Sequence, residues 1–491
     1  MVSKVCVLSA QLVLASSLFA AQWTGGGSNE LFDPANWGGN PPDSTTDATF
    51  WGGDPLSLVM SQDYAIKTMP VYGRTLMVDF QGKALTVGGN IATMRGAHVT
   101  FANGTVAETA GALRVGNEGT VGSHMTLTGS RFSMTVPSML IGQSEGTSFS
   151  GLIVENGAHL TSNNGLPIAN VTVNTSNNYV QVRGEGSRIY VPSGNVTIGH
   201  QGIGGNNWME IRDQAQFECA KTVIGNHLKC PNNFLRVTDG GVYTNNGDFV
   251  ISAVAGSDGN RLEVLNGGNL YVKDNFYLAG YGSSDNNMVV SNASVTIGKQ
   301  ILLAGNDASK RNSIRIIDAS LTLGGAFRFG WSSASEDNRV ILCNGQVGTT
   351  GILVGKNDPA VTKDNRIVFT GTNDQWIVSG NDISLKSGAA LEVDFPEEGR
   401  DPALTCLEGL AANLNLDGTM RIIVNAEKHA KKLAQTTTYP LVRVKNQIVA
   451  SVLDHVTVDL PGHVTVALTD DKKGVDVTIK PYRIGFSVRV R

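Results

Sequence analysis

The sequence has little charge, few prolines and few aromatic residues. Only 16% of its 491 residues are charged and 7% are aromatic, and there are 15 prolines. So little proline excludes a collagen-like or proline-rich extended chain. A net charge of −4 argues against a nucleic-acid-binding protein, whose surface would be strongly basic. Hydrophobic residues make up 41% of the chain, which is enough for a packed core, and glycine is abundant at 58 residues.

Long apolar runs are absent after the first twenty residues. Lys4 precedes an apolar stretch from Val5 to Ala20, and Ala20 and Ala21 are small enough for a cleavage site. This pattern predicts a signal peptide over residues 1–21; a buried N-terminal helix is the alternative. No later segment reaches the ~20 apolar residues that span a bilayer. We therefore expect an exported protein, extracellular or at the cell surface, with no transmembrane span in its mature chain.

The cysteines are too few for a disulfide framework. Beyond Cys6, which falls in the signal segment, the chain has Cys219, Cys230, Cys343 and Cys406. Cys219 and Cys230 are close enough in sequence to pair, but small buried residues are the simpler interpretation. No CxxC pair or Cys/His cluster indicates zinc, and we expect no cofactor.

A repeat of about 27 residues runs through the middle of the chain. It begins with a polar anchor, and the residue two positions later is apolar in every unit, as in Asn260 and Leu262. The residue four positions after the anchor is apolar in all units but one, where it is Ser291, and this alternation is typical of a strand with one buried face. The ten anchors, spaced 25 to 29 residues apart, are Ser123, Ser150, Asn178, Asn207, Asn233, Asn260, Asn287, Asn312, Asn338 and Asn365.

Three short strands in each unit, separated by Gly, Asn, Ser and Asp corners, predict an all-β fold. The pattern favours a single-stranded parallel β-helix with one unit per coil, because stacking the coils buries apolar faces that no coil buries alone. We expect it to be right-handed, since long irregular coils with inserted loops are common in that class. A propeller would need blades of ~40 residues, and a β-sandwich would not give ten similar units. The predicted regions are a cap over 22–84, the helix over 85–390, and a β-strand-rich region over 391–491.

The anchors predict an internal ladder of asparagine side chains. Asparagine tolerates left-handed backbone, and its amide can bond to the same residue in the next coil. The expected members are Asn207, Asn233, Asn260, Asn287, Asn312, Asn338 and Asn365.

The loops before the anchors are candidates for calcium-binding or catalytic sites. Asp258, Asp285, Asp337 and Asp364 recur there and would suit calcium, but neighbouring arginines such as Arg339 would neutralise them. Hydrolysis of a polysaccharide requires two carboxylates about 5–9.5 Å apart, and elimination requires a base with cations. No coil carries a distinct cluster of Asp, Arg and His, so we assign neither metal ligands nor catalytic residues.

Aromatic residues crowd the start of the predicted mature chain. Trp23, Trp37 and Trp51 suit a cap over the open end of a solenoid, and a sugar-stacking site is the alternative.

The two ends resemble those of secreted bacterial proteins with β-solenoids of the autotransporter-passenger type. The residues that carry the resemblance are Trp23-Thr24-Gly25-Gly26-Gly27, Asp33-Pro34-Ala35-Asn36-Trp37, Pro41-Pro42, Asp47-Ala48-Thr49-Phe50, Tyr439-Pro440-Leu441, Leu460-Pro461-Gly462 and Val475-Asp476-Val477. The resemblance covers about 30 residues at one end and 40 at the other. It implies a passenger-type solenoid only, because neither a β-barrel translocator nor an apolar anchor follows.

Together these features favour a secreted or cell-surface β-helix with a structural or adhesive role and no catalysis. Cell-envelope or extracellular glycans are the expected partners, and nucleic acid is not. The alternatives are a polysaccharide-degrading β-helix enzyme, either a lyase or a glycoside hydrolase, and a glycan-binding module without catalysis.

Overall fold

The structure, a computed structural model, describes residues 20–118, 121–170, 175–200, 204–228, 230–280, 282–305, 308–330, 335–355, 363–380, 382–386, 388–409, 411–416 and 420–482. The predicted signal peptide lies outside these residues except for its last two positions. The chain is 50% strand and 3% helix and winds into a parallel β-solenoid with about 26 residues per turn. The predicted fold class is therefore confirmed.

Each turn contributes one strand to each of three faces, named here face A, face B and face C in the order in which the chain visits them. Face A is a sheet of sixteen strands, each hydrogen-bonded in parallel to the equivalent strand of the next turn. Its strands are Leu56–Val59, Thr75–Asp79, His98–Ala102, His124–Thr128, Gly151–Glu155, Tyr179–Arg183, Trp208–Arg212, Phe234–Val237, Arg261–Leu265, Asn287–Ser291, Ser313–Ile317, Arg339–Cys343, Asn365–Phe369, Ala389–Asp394, Arg421–Asn425 and Val456–Val458.

Face B follows face A after a tight turn. Its parallel strands are Tyr64–Ile66, Ala84–Val87, Thr105–Glu108, Ser133–Val136, His159–Ser162, Val242–Asn245, Asn269–Val272, Ser294–Ile297, Ser320–Leu323, Gln346–Thr349, Gln375–Val378, Leu407–Gly409 and Thr437–Val444. Two longer strands, Arg188–Ile198 and Gln216–Ile224, continue from face B into face C without a break.

Face C completes each turn and leads into the loop before the next face A strand. Its other strands are Met69–Tyr72, Ile91–Met94, Leu113–Asn117, Met139–Ile141, Leu166–Ile168, Phe249–Ile251, Phe276–Leu278, Ile301–Leu303, Ala326–Phe329, Gly351–Val354, Ile383–Leu385 and Leu414–Leu416. Along the face A and face B strands, side chains alternate between the inside and the outside of the solenoid, so every second residue is buried, and most of these are apolar. Leu262 and Val264, for example, are fully buried, while Glu263 between them faces outward.

The ends close the solenoid in different ways. At the N-terminus, Ala21–Gln22 pairs with Ala48–Thr49, and the 3-10 helix Pro34–Trp37 packs beside them. At the C-terminus, Thr437–Val444 pairs antiparallel with Gly474–Ile479, which pairs antiparallel with Val464–Leu468. The remaining helices are the α-helix Glu427–Ala430 and the 3-10 helix Ala450–His455.

Parallel stacking extends beyond the predicted limits of the β-helix. Face A starts at Leu56–Val59, inside the predicted cap, and ends at Val456–Val458, inside the predicted C-terminal region. The sequence pattern fades at both ends because coil lengths depart from the common period. The first two steps in face A, for example, pair Leu56 with Leu76 and Leu76 with Val99.

Candidate functional site

The corner between face C and face A holds a ladder of buried asparagines, here called the ladder corner. The Oδ1 of each accepts a hydrogen bond from the backbone N–H of the equivalent residue one coil earlier, which for the first asparagine, Asn178, is Ser150. In most steps the side-chain amide donates to the same oxygen: Asn233 N and Nδ2 both lie 3.0 Å from Asn260 Oδ1. The members, all fully buried, are Asn178, Asn207, Asn233, Asn260, Asn286, Asn312, Asn338 and Asn365.

Asn286, and not the predicted Asn287, belongs to this ladder. Asn286 accepts from Asn260 N at 2.9 Å and donates to Asn312 Oδ1 at 3.1 Å. Asn287 is the first residue of the next strand and is half-buried on its outer side. With Asn286 as the anchor, the inward residues are Met288 and Val290, both fully buried. The correction also removes the apparent exception at Ser291, which faces outward.

The residue before each ladder asparagine explains the composition of this corner. It has left-handed backbone in every described coil of the ladder, for instance Asn232 at φ 59° and Asp285 at φ 59°. Asn, Asp and Gly accept that conformation most readily. In an earlier coil this position is Phe149, at φ 54° with its ring 54% exposed.

The cysteines of the described chain are all free. Cys230 lies three residues before Asn233, where the next four coils have serine, and its Sγ donates to the Gly204 carbonyl oxygen at 3.0 Å. Cys219 Sγ lies 3.3 Å from Thr222 Oγ1 inside the solenoid. Burial raises the pKa of both thiols to about 11, so both are protonated at neutral pH. The pairing alternative for Cys219 and Cys230 is therefore wrong in this structure.

The carboxylates that were considered as metal ligands are engaged with nearby donors. Arg311 binds Asp285 through two hydrogen bonds of 2.7 Å. The pairs Arg339–Asp337 and Arg366–Asp364 lie at 2.9 and 2.6 Å. Asp258 instead accepts a backbone N–H, that of Ser284 at 2.7 Å. No group of three or more His, Cys, Asp or Glu side chains in the described residues has a geometry that would hold a metal ion.

An aromatic column runs along the outer side of face A. Tyr179 and Trp208 stack with ring centroids 4.5 Å apart, and Phe234 stacks on Trp208 at 5.9 Å. The guanidinium of Arg261 lies over the Phe234 ring at 5.2 Å. The ring faces are therefore covered by neighbours in the column, and their outward edges are not a flat platform for a sugar.

The N-terminal tryptophans differ in burial and in what they cover. Trp23 and Trp37 are buried and pack edge to face, with centroids 5.3 Å apart, against Phe50. They form the cap. Trp51 is 40% exposed and stacks on Tyr72 at 4.0 Å, so it covers the outside of the first coils.

A groove, here called the amide groove, lies at the corner between faces A and B. Only two residues connect these faces in three consecutive coils, at 292–293, 318–319 and 344–345. The coil before them uses three residues, 266–268, and the coil after them uses five, 370–374. Short turns between longer ones leave an open channel of about 740 Å³ across five coils.

The side chains along the amide groove are mostly uncharged hydrogen-bonding groups. Five carboxamides line it, together with the hydroxyls of Ser294 and Ser320 and the methyl groups of Ala293 and Ala319. Asp318 is the one charged residue among the described lining residues. The five carboxamides belong to Asn269, Asn292, Asn344, Gln346 and Asn373.

Some of these groups are already positioned by their neighbours. Asn344 Nδ2 donates to Asp318 Oδ1 at 3.0 Å, and Gln346 Nε2 donates to the Asn373 carbonyl oxygen at 2.9 Å. The side chain of Asn292 makes no hydrogen bond within the described residues. The amide groove therefore combines side chains that are held by their neighbours with at least one uncommitted carboxamide, that of Asn292.

A buried ion pair fixes the C-terminal end of the amide groove. Arg400 and Asp374 are almost completely buried, with Nη1 and Oδ2 3.4 Å apart. Arg400 also donates to the Asp374 carbonyl oxygen at 2.7 Å, and Asp374 Oδ1 accepts from Gly345 N at 2.9 Å. The long turn that ends the groove is thus tied to the shorter turn beside it.

Sequence reasoning found the ladder positions but missed the amide groove. The signal was the number of residues between the face A and face B strands, which drops to two in three coils in succession. The sequence pattern assigned a role only to the asparagines of the ladder corner, and none to those between faces A and B.

Comparisons with protein-family models, with curated proteins and with solved structures gave no match. The fold alone therefore defines the class, a parallel β-solenoid with an internal asparagine ladder. In the described residues, no helix is long and apolar enough to cross a membrane.

Proposed function

We propose that this protein is a secreted or cell-surface β-solenoid with a structural and adhesive role and no catalysis. The observation that carries the proposal is how the charged side chains are used on the outer surface. Among the described residues, most ion pairs join neighbouring coils along the solenoid axis, and others, such as Arg339–Asp337, lie within one coil. They are spread along the surface and do not converge on one cleft.

Face A gives the clearest example of this pairing. Arg183 donates to Glu155 at 2.8 Å, joining adjacent coils. Arg236 lies between Glu210 at 3.6 Å and Glu263 at 2.7 Å, joining three. Exposed pairs of this kind contribute little stability each, but as a network they keep charges neutralised along a long surface. Such an arrangement suits a rod better than a reaction centre.

Export rests on the N-terminal pattern of Lys4, the apolar stretch to Ala20, and the small residues that follow. The resemblance of both ends to autotransporter-passenger solenoids supports the same location. The amide groove supports the adhesive part of the proposal, because an open channel lined with hydrogen-bonding groups can hold a partner without a reactive group.

The test is expression of the full chain in a bacterial host, followed by cell fractionation and an adhesion assay. We expect a processed protein beginning near Gln22 in the envelope or medium, and binding to surface glycans without release of fragments. Retention of the unprocessed chain in the cytoplasm, or release of oligosaccharides from a polysaccharide substrate, would contradict the proposal.

A further inference from the structure

We propose that the amide groove binds an uncharged, extended polysaccharide chain lying parallel to the solenoid axis. This inference rests on the proposed adhesive function and names the chemical class of its partner. It is carried by the shape of the groove, the chemistry of its lining and the regular spacing of its functional groups.

The shape fits an extended chain. Adjacent coils are ~4.8 Å apart, so the groove's five coils extend over about 19 Å. That step is close to the length of one sugar unit in a ribbon-like glycan. Equivalent residues recur in the three central coils: Asn292, Asp318 and Asn344 occupy the same left-handed position of consecutive turns, at φ 47°, 47° and 56°. A ligand with a matching repeat would meet the same kind of group at each unit.

The chemistry fits hydroxyl groups. A carboxamide offers both donors and an acceptor, and that of Asn292, which makes no hydrogen bond within the described residues, can serve a hydroxyl in either role. The carboxamide of Asn344 is instead held on both sides, since its Nδ2 donates to Asp318 and its Oδ1 accepts from Thr372 Oγ1 at 3.0 Å. Asp318 adds an acceptor, and the methyl groups of Ala293 and Ala319 leave space at the floor between the polar groups.

The charge of the groove selects against acidic ligands. Its lining in the described residues contains Asp318 and no lysine, arginine or histidine. A uronic acid chain would bring carboxylates toward Asp318 without a cation to pair with them, which is unfavourable. An extended peptide is a different kind of ligand that also carries donors and acceptors, and it is kept as an outcome of the test.

The experiment measures binding of the whole protein by isothermal titration calorimetry. The probes are cellohexaose and mannohexaose as neutral hexasaccharides, hexagalacturonate as an acidic one, and a six-residue Ser/Thr peptide. We expect at least one neutral hexasaccharide to bind with an affinity that changes little with salt, and the acidic probe to bind less well.

Two variants with a matched control localise the binding. Ser320→Trp places an indole in the middle of the groove and should abolish binding. Ser133→Trp is the control, because Ser133 lies outside the groove's coils and, like Ser320, begins a face B strand. Each serine also lies near a hydroxyl of the preceding coil: Ser133 Oγ is 3.4 Å from Thr105 Oγ1, and Ser320 Oγ is 3.3 Å from Ser294 Oγ. Asn292→Gly keeps the left-handed backbone and removes one carboxamide, which should weaken binding roughly fivefold.

The outcomes separate the two proposals. If the acidic probe or the peptide binds better and Ser320→Trp abolishes that binding, the ligand class is wrong while the adhesive function stands. If a neutral probe binds but Ser320→Trp and Ser133→Trp bind it equally, the groove is not the site. If none of the probes binds, the neutral-glycan inference is overturned, and the adhesion assay on cells decides the proposed function separately. If the protein cleaves a probe, the non-catalytic function itself is overturned.

Discussion

Asparagine lines two corners of this solenoid and has opposite roles in them. At the ladder corner it follows a residue with left-handed backbone, so its side chain turns inward and is fully buried, as in Asn312. At the amide groove, Asn292 and Asn344 occupy the left-handed position themselves, and their side chains are not buried. The position relative to the turn, more than the residue type, decides whether an asparagine stabilises the fold or is available to a partner.

The largest expected effect comes from deleting one coil in the correct or the incorrect phase. Asn260 and Asn286 are 26 residues apart in the ladder. Removing Asn260–Asp285 joins left-handed Gly259 to Asn286 and should leave a folded, shorter solenoid, because each coil contacts mainly its neighbours. Removing Asn260–Asn286 joins Gly259 to Asn287 and turns Met288 and Val290 toward solvent, which should prevent folding of the adjoining coils.

Circular dichroism and limited proteolysis of the two purified deletion variants check this prediction. Equal resistance to protease in both variants would mean that the ladder does not set the phase of the coils.

The third corner, between faces B and C, provides a buried polar group that is only partly satisfied. Glu108 Oε1 accepts from Ile91 N at 2.8 Å, whereas Oε2 is buried and has no hydrogen-bond partner among the described residues. Burial raises the pKa of this carboxyl from 4.5 to about 8. The folded protein therefore keeps the proton to a higher pH than the unfolded chain does. The free energy of unfolding should fall as the pH rises from about 4.5 to about 8. The loss is ~1.4 kcal/mol for each unit by which the pKa of Glu108 in the folded protein exceeds that in the unfolded chain.

Thermal unfolding across this pH range, with Glu108→Gln as the comparison, measures the effect. We expect the midpoint of the variant to depend less on pH than that of the wild type. Identical pH profiles for the two proteins would rule out a raised pKa at Glu108.

Two neighbouring asparagines test the ladder assignment directly. Asn286→Ala removes the acceptor of Asn260 N and the donor to Asn312, and should cost about 1–3 kcal/mol, since buried partners lose their hydrogen bonds. Asn287→Ala, one position later and half-buried on the outer side, should change stability by less than about 0.5 kcal/mol. Denaturant unfolding of both variants measures the difference; a larger loss for Asn287→Ala would restore the sequence-based assignment.

Asn286 and Asn287 also show which features of the fold can be predicted from the sequence. The repeat, the parallel stacking and six of the seven expected ladder positions follow from spacing and alternation. Asp285-Asn286-Asn287 offered two equivalent amides, and the polar pattern alone did not separate them. The alternation of Met288 and Val290, both buried, resolves the choice once burial is known.

The amide groove and the ends were harder to predict, for physical reasons. The groove depends on differences in turn length between neighbouring coils. A repeat is recognised from what its coils have in common, so these differences do not contribute to it. At the C-terminus the alternating strands were expected, but the antiparallel pairing of Thr437–Val444 with Gly474–Ile479 was not. A strand at the end of a solenoid has no further coil to stack on. Its second partner therefore comes from the chain that follows, and the repeat pattern does not predict its direction.

The smallest expected effect is a gain in stability at the ladder corner. Phe149 occupies the left-handed position that other coils fill mostly with Asn, Asp or Gly, and its ring is largely exposed. Phe149→Asn should stabilise the protein by about 1 kcal/mol, because a bulky residue is strained in that conformation. The control is Asn177→Phe, the reverse change one coil later, which should destabilise the protein by a similar amount. Denaturant unfolding measures both, and a loss of stability in Phe149→Asn would mean that the contacts of the Phe149 ring outweigh the backbone strain.

Hydrogen exchange by mass spectrometry on Asn312→Gly and Asn292→Gly tests the central claim most directly. The two variants make the same chemical change at the ladder corner and at the amide groove. The account predicts that Asn312→Gly speeds backbone exchange by at least roughly tenfold around the ladder residues of the adjoining coils, because the Asn286 amide loses its acceptor. Asn292→Gly should leave exchange unchanged. Equal acceleration in both variants, or none in Asn312→Gly, would contradict the account.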